Sequence, residues 1–173
     1  MTVLPISFYP DPILSRICDP IEVFDESVKE MSADLIESLC AYGGLGLAAP
    51  QCGIAKQMFV CQIGKIDIMT FINPVLEREM GDELTTQEGC LSIPGVTGRI
   101  KRNDRILIKA QDITGAPFSI SLINTDAIAF QHELDHLHGR TMFEVMDRIQ
   151  KLGKRNSYIK KVKKWKASQK KTK

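Results

Sequence analysis

Residues 131–138 contain all three histidines of the 173-residue chain and read Gln131-His132-Glu133-Leu134-Asp135-His136-Leu137-His138. The five residues from His132 to His136 match HExxH, a pattern that this composition would produce by chance only about 0.003 times. On a helix, a spacing of four puts both histidines on one face with Cβ atoms about 5–6 Å apart, so both imidazoles can reach one metal ion. Glu133 lies beside them, where it can take a proton from a water rather than bind the metal. His138 lies over half a turn from that face and is predicted to be exposed.

The segments around this motif predict an α+β fold. Asp25 can cap a helix whose apolar residues recur every three or four positions until Gly43-Gly44. Strands are predicted from four short apolar runs at 58–63, 69–76, 105–110 and 118–122. The HExxH stretch is predicted to be helical from the capping side chains of 124–126 to Gly139. Since successive strands are too close for crossover helices, we expect mainly antiparallel sheets packed around the metal-binding helix.

Composition favours an ordinary globular protein. With 43% hydrophobic and 25% charged residues, the chain is neither disordered, collagen-like nor a coiled coil. No signal peptide and no membrane span are expected, because no apolar run is long enough. Five cysteines, an odd number without a CxxC pair, favour a reducing compartment. The sequence therefore predicts a cytoplasmic protein and leaves an organellar origin open.

Charge is divided unevenly along the chain. Residues 1–150 hold 12 Lys and Arg against 21 Asp and Glu, whereas residues 151–173 hold 11 basic residues and no acidic one. We expect a domain over 1–150, without the basic patch that DNA binding needs, and a basic tail over 151–173. The tail could form an amphipathic helix, and its removal is expected to leave the chemistry unchanged. Its large apolar residues include Leu152, Ile159, Val162 and Trp165.

Three alternatives stay open for the tail. It could be a solvated extension that keeps the protein soluble. It could dock to ribosomal RNA, where neutralisation of phosphates supplies the affinity. Contact with a membrane surface is the weakest alternative, because the tail has one Trp and few large apolar residues.

A catalytic metal needs a third protein ligand and one open position. The metzincin extension would place a histidine at position 142, where this chain has Met142. A Glu ligand from a second, downstream helix is not favoured, because Glu144 is only eight residues past His136 and no other acid but Asp147 follows. The third ligand is therefore expected upstream, and Cys90 is the best candidate, although a cysteine taken alone is more often a buried, inert thiol.

Three motifs, in this order, resemble those of the peptide deformylase family. Residues 44–51 read GLGLAAPQ, residues 88–92 read EGCLS and residues 131–136 read QHELDH. The similarity extends from Tyr9 to about Phe143. It implies a deformylase fold over 1–150, with a metal ion held by Cys90, His132 and His136 and water in the fourth position. The implied reaction is hydrolysis of the N-formyl group from the initiator methionine of new polypeptides, which releases formate.

The resemblance also implies catalytic roles. Glu133 would accept the proton of the attacking water and deliver it to the departing amine. The side-chain amide of Gln51 and the backbone N–H of Leu91 would bind the oxyanion. Without the resemblance, Gln51 would more often be an ordinary loop residue.

Substrate contacts follow from the same resemblance. The peptide would lie strand-like beside Gly46 and Gly89. Taken without the family, Leu45 and Ile128 are simply core residues. The methionine side chain would enter an apolar pocket lined by Leu45, Ile128, Ala129 and the ring of His132.

Metal identity and partners are expectations of the same kind. The donor set suits Zn²⁺, Co²⁺ or Ni²⁺ as well as Fe²⁺, the ion that the family usually employs. The substrate partners would be N-formylated nascent peptides, and a monomer is expected. Thr97 stands where many relatives carry Arg near the peptide groove, which puts substrate anchoring there in question. Cys52 replaces the usual Val after Gln51, and no function is assigned to it.

Two other functions fit parts of the pattern. A metalloprotease or general amidase could use the same HExxH site, and it would cleave acetylated or unblocked peptides as well. A binding module could keep the metal for structure alone. Glu133 and Gln51 argue against the module, because structural metal binding has no use for a carboxylate that transfers protons.

Overall fold

The computed structural model describes residues 2–64 and 67–170, with the side chains of residues 164–170 left outside the description. The side chain of Trp165, predicted to lie on the apolar face of the tail, is among those outside it. Within the described ranges, no helix is long and apolar enough to cross a membrane.

The first helix forms as its capping residue predicts. Helix α1 spans Glu26–Tyr42, and the Asp25 carboxylate accepts a hydrogen bond from the Ser27 N–H in its first turn. The helix ends at Gly43, whose φ of 70° suits a residue without a Cβ atom. Its buried face packs on the sheet through apolar residues that include Val28, Leu35 and Leu39.

One five-stranded sheet forms the centre of the fold, with strand order β1-β2-β3-β4-β5. Each neighbouring pair is antiparallel, so the predicted α+β class is confirmed. The strands are β1 (Gly46–Ala48), β2 (Met58–Ile63), β3 (Asp67–Gly89), β4 (Thr97–Gln111) and β5 (Pro117–Ile123).

Two strands are much longer than predicted, and one was not predicted. β3 and β4 form a long hairpin whose pairing runs from Ile72 opposite Gln111 to Gly89 opposite Thr97. Much of β3 beyond residue 76 is polar and exposed, and three register shifts break its alternation, so apolar periodicity marked only its first part. β1 has only three residues, too few to show a period.

Helix α2 spans Asn124–Leu137 and lies against β1, β2 and β4. The predicted side-chain cap is wrong, because Ile123 occupies the cap position and no side chain bonds there. Asp126 instead accepts a hydrogen bond from the Gly64 N–H, at 3.0 Å. Asn124 has a φ of 51°, a left-handed geometry that Asn tolerates. His138 follows the helix and is exposed, as predicted.

The chain closes with two further helices, α3 (Met142–Val145) and α4 (Arg148–Lys170). Tyr158 of α4 is 6% exposed and packs near Tyr9 and Phe143, with ring centroids 6.3 and 6.0 Å away. Leu152 is 67% exposed. Helix α4 therefore runs through the boundary expected at residue 150 and contacts the rest of the fold, and the division into two domains stays a prediction.

Candidate active site

The three predicted metal ligands converge. Cys90 follows the end of β3, and the two histidines come from α2. The ligand atoms of Cys90, His132 and His136 all lie within 4.8 Å of one another. The Cys90 Sγ is 3.3 Å from Nε2 of His136. This spacing is short enough for one ion to contact all three donors.

A buried carboxylate orients one of the histidines. Glu88 Oε2 lies 2.8 Å from Nδ1 of His132. When the ring is neutral, Nδ1–H donates to Glu88 and Nε2 presents its lone pair to the cluster, the arrangement that a metal-binding imidazole requires. Glu88 is in turn held by Arg102, whose Nε and Nη2 donate to its two oxygens at 2.9 and 3.0 Å. The remaining Nη1 of Arg102 donates to Asp135 at 2.6 Å.

Sequence reasoning did not assign these three supporting residues to the site. Glu88 and Asp135 carried a signal, because each lies beside a predicted ligand in a recognised motif. Arg102 carried none, since it lies in a polar part of β4 that was not predicted as strand. All three are buried, with exposures of 8% or less, so their charges are paired where water cannot screen them.

Neighbouring charges and hydrogen bonds lower the pKa values of Glu88 and Cys90. Burial raises the pKa of Glu88, but hydrogen bonds from His132 and Arg102 outweigh it and hold that pKa at about 2. Burial also raises the pKa of Cys90, but the neighbouring His136 and His132 outweigh it and lower that pKa well below its ordinary value. This shift favours the thiolate, the form that binds metal.

Glu133 is buried beside the ligands but does not join them. It is 3% exposed, and its Oε2 has no hydrogen-bond partner within the described part of the chain. Burial raises its pKa to about 7, against the lowering effect of His132 and His136. A carboxylate with a pKa near neutrality can both accept and return a proton.

The amide of Gln51 is oriented by the backbone. Its Oε1 accepts a hydrogen bond from the Ala48 N–H at 2.8 Å, which fixes the amide group. Its Nε2 is thereby directed toward the Cys90 Sγ, 3.5 Å away, and toward the Ser92 Oγ, 3.4 Å away. Both contacts are long, so the amide donor remains available beside the ligand cluster.

One cavity of about 640 Å³ opens onto this cluster. Leu45 is 50% exposed at its edge, so it is not the core residue that its sequence alone suggests. One predicted site residue, His136, is absent from the lining. It is 1% exposed and contacts Cys90. The lining includes all the others, namely Leu45, Gly46, Gln51, Gly89, Cys90, Leu91, Ile128, Ala129, His132 and Glu133.

Comparison with known proteins identifies the family. The family model described as polypeptide deformylase matches residues 3–152. The chain belongs to the polypeptide deformylase family. It is therefore a hydrolase, as the motifs predicted.

Individual deformylases match nearly the whole chain. A peptide deformylase from Desulfotalea psychrophila is 39% identical over 171 residues, covering 95% of this chain and 98% of the relative. The crystal structure of a peptide deformylase from Legionella pneumophila superposes with a TM-score of 0.87 at 32% identity, covering 96% of this chain and 98% of that one. A chloroplastic peptide deformylase 1B from Oryza sativa is 36% identical over 80% of this chain and 53% of its own length.

Proposed function

We propose that Cys90, His132 and His136 hold the divalent metal ion with which this enzyme removes the N-formyl group from the formylmethionine of new polypeptides. One observation carries the proposal. Three ligand atoms lie within 4.8 Å of one another, and two of them belong to residues that line a cavity; the carboxylate of Glu133 is buried beside them with Oε2 lacking a partner in the described residues. A structural metal site would not need that carboxylate.

The donor set fits a metal ion with one open position. One thiolate and two imidazoles suit Fe²⁺, Zn²⁺, Co²⁺ or Ni²⁺, and Glu88 supplies the outer hydrogen bond that keeps His132 in the binding tautomer. We infer Fe²⁺, the ion that the family resemblance implies. When bound, such an ion supplies a Lewis acid that lowers the pKa of water and polarises a carbonyl oxygen.

The proton transfers are assigned to Glu133. Its Oε2 accepts a proton from the water whose oxygen adds to the formyl carbon. It then delivers that proton to the departing nitrogen, the C–N bond breaks, and the products are formate and the free amine. A carboxylate with a pKa near neutrality serves both steps, because it is neither too weak a base nor too weak an acid.

The oxyanion is assigned two donors from this chain. The Nε2 of Gln51, fixed by Ala48 through the other end of its amide, can donate to the formyl oxygen. The backbone N–H of Leu91, directly after the ligand Cys90, is the second donor. Preorganised donors of this kind each contribute about 10²–10³ in rate.

The substrate is assigned to the cavity and to an open strand edge. Within the described residues β1 is an edge strand, paired with β2 alone. A peptide can therefore add beside Gly46 as a further strand and extend toward Gly89. The methionine side chain would occupy the apolar part of the cavity at Leu45, Ile128 and Ala129.

Formate release tests this function. Protein purified without air is given formyl-Met-Ala-Ser, with acetyl-Met-Ala-Ser as the matched control. We expect formate from the first and no acetate from the second. The acetyl group carries a methyl group where the formyl group has a single hydrogen, and we expect the site to exclude that methyl group. Equal cleavage of both peptides would favour the general amidase.

We also propose that the outer face of α4 docks to ribosomal RNA, near the emerging substrate. The 11 basic residues and the absence of acidic ones in residues 151–173 support this, as does the exposure of Lys160 and Lys163. Co-sedimentation with ribosomes at two salt concentrations tests it, and binding should fall steeply with salt. Retention unchanged at high salt would contradict it. The expected monomer is tested by light scattering.

A further inference from the structure

A second cavity, of about 520 Å³, lies between the loop at residues 94–97 and helix α4. The same four residues also line the active-site cavity, so they form a shared wall. Thr97 in that wall pairs across the hairpin with Gly89, the residue before Cys90. Paired residues of neighbouring strands are about 4.5–5.5 Å apart at Cα. The second cavity therefore begins one strand's width from Gly89, which directly precedes the ligand Cys90.

One face of α4 forms the other side of this cavity. Gln150, Lys154, Ser157 and Lys161 recur there at spacings of three and four residues. Lys154 Nζ donates a hydrogen bond to the carbonyl of Thr97, which ties the helix to the shared wall. The apolar part of the lining includes Val96 and the strongly exposed Ile149. The cavity thus combines apolar surface with two ammonium groups.

Acidic groups do not neutralise those ammonium groups. Among the described residues that line the cavity, none is acidic. Asp147, at the start of α4, accepts hydrogen bonds from the Gln150 side chain and from the N–H groups of residues 149 and 150. Glu144 is bonded to Thr141 and lies near Lys151. The cavity therefore presents a net positive field to a bound molecule.

We propose that this second cavity is a substrate subsite that receives acidic side chains from about the fourth residue of the formylated peptide onward. The inference rests on the deformylase function proposed above. An extended peptide advances about 3.3 Å per residue, so three residues leaving the ligand cluster past Gly89 bring the next ones over the shared wall. Lys154 and Lys161 bind the carboxylates, and Ile149 and Val96 contact their apolar stems.

Peptides of matched length test the subsite. The substrates are the amides formyl-Met-Ala-Ser-Glu-Glu-Ala and formyl-Met-Ala-Ser-Gln-Gln-Ala, and the readout is the ratio of their kcat/KM values measured with one enzyme preparation. This ratio is independent of metal loading. We expect the Glu peptide to be favoured about two- to fivefold, the range that screened surface ion pairs produce. The preference should decline between about 0.05 M and about 0.5 M salt.

Substitutions in α4 test which residues cause the preference for the Glu peptide. Lys154→Ala should bring the ratio close to one, and Lys154→Glu should invert it, whereas Lys154→Arg should retain it. The matched control is Lys160→Ala, which removes the same charge from the same helix outside the cavity lining. That control should leave the ratio unchanged.

Three outcomes would overturn the subsite. One is a ratio near one in the unaltered enzyme, and another is an equal fall in the ratio with Lys160→Ala. The third is that Lys154→Ala weakens co-sedimentation with ribosomes but leaves the ratio intact, which would assign these lysines to RNA instead. Failure of the deformylase function would look different, because formyl-Met-Ala-Ser itself would then release no formate.

Discussion

Gly46 leaves the space that Glu133 occupies. A Cβ atom added at Gly46 would lie 2.6 Å from both Cγ and Oε1 of Glu133, closer than carbon and oxygen atoms can approach without displacement. The missing Cβ atom of Gly46 thus lets the buried carboxylate lie close to the backbone of β1. The close approach explains a glycine here by packing, because Gly46 does not have a positive φ.

Gly46→Ala is predicted to lower kcat/KM on formyl-Met-Ala-Ser by about 10²-fold, because a shift of about 1 Å in a catalytic group costs that much. Metal content should be unchanged, since Glu133 is not a ligand in this account. Gly44→Ala is the control, as its added Cβ would meet Leu39 Cδ1 at 3.4 Å, an ordinary contact. Equal activity of both variants would show that the close approach of Gly46 to Glu133 does not affect the rate.

Cys90→Ser is predicted to lose or strongly weaken metal binding, because a hydroxyl is a poor replacement for a thiolate. Elemental analysis of the purified variant measures this, and formate release should fall in proportion to bound metal. Cys52→Ser, which alters a buried thiol that is not part of the cluster, serves as the comparison. Full occupancy with a normal rate in Cys90→Ser would remove Cys90 from the site.

If the ion is Fe²⁺, activity of protein isolated without air should decay on exposure to oxygen. A coordination position left for water by Cys90, His132 and His136 would also admit oxygen. Exchange into Ni²⁺ or Co²⁺ should preserve formate release in air, which a time course of activity measures. An air-stable, fully active Zn²⁺ enzyme as isolated would contradict the iron proposal and leave the reaction unchanged.

Tyr158→Ala is predicted to lower the free energy of unfolding by roughly 3 kcal/mol, the cost of truncating a large buried aromatic side chain. Tyr158 is 6% exposed and packs near Phe143. Leu152→Ala on the same helix should change stability by less than about 0.5 kcal/mol, since Leu152 is 67% exposed. Denaturant unfolding compares them, and equal stability of the two would mean that α4 does not pack on the body.

The HExxH spacing predicted the metal-binding helix and the convergence of His132 and His136, because one helical turn alone determines that geometry. The partnership with Cys90 depended on the family resemblance, since Cys90 lies 42 positions before His132 in the chain. Neither the motif spacing nor the family resemblance indicated that Arg102 belongs to the site. Its pairing with Glu88 and Asp135 follows from the register of a hairpin whose polar half shows no apolar period.

The charge of residues 151–173 did not predict that part of α4 packs against the body. Eleven basic residues without an acidic one predicted a tail distinct from the acidic body. Tyr158 lies among them and is buried against the body. Composition averages over both faces of a helix, so it did not separate the packed face of α4 from its solvated one.

The most direct test of the account is a paired measurement on Glu133→Gln, in which metal per chain and formate release from formyl-Met-Ala-Ser are determined on one sample. The amide keeps the shape of the side chain but cannot accept the proton. We expect one metal ion per chain, as in the unaltered enzyme, with turnover lower by about 10²–10⁴-fold. Metal lost together with activity, or turnover retained with full metal, would contradict it.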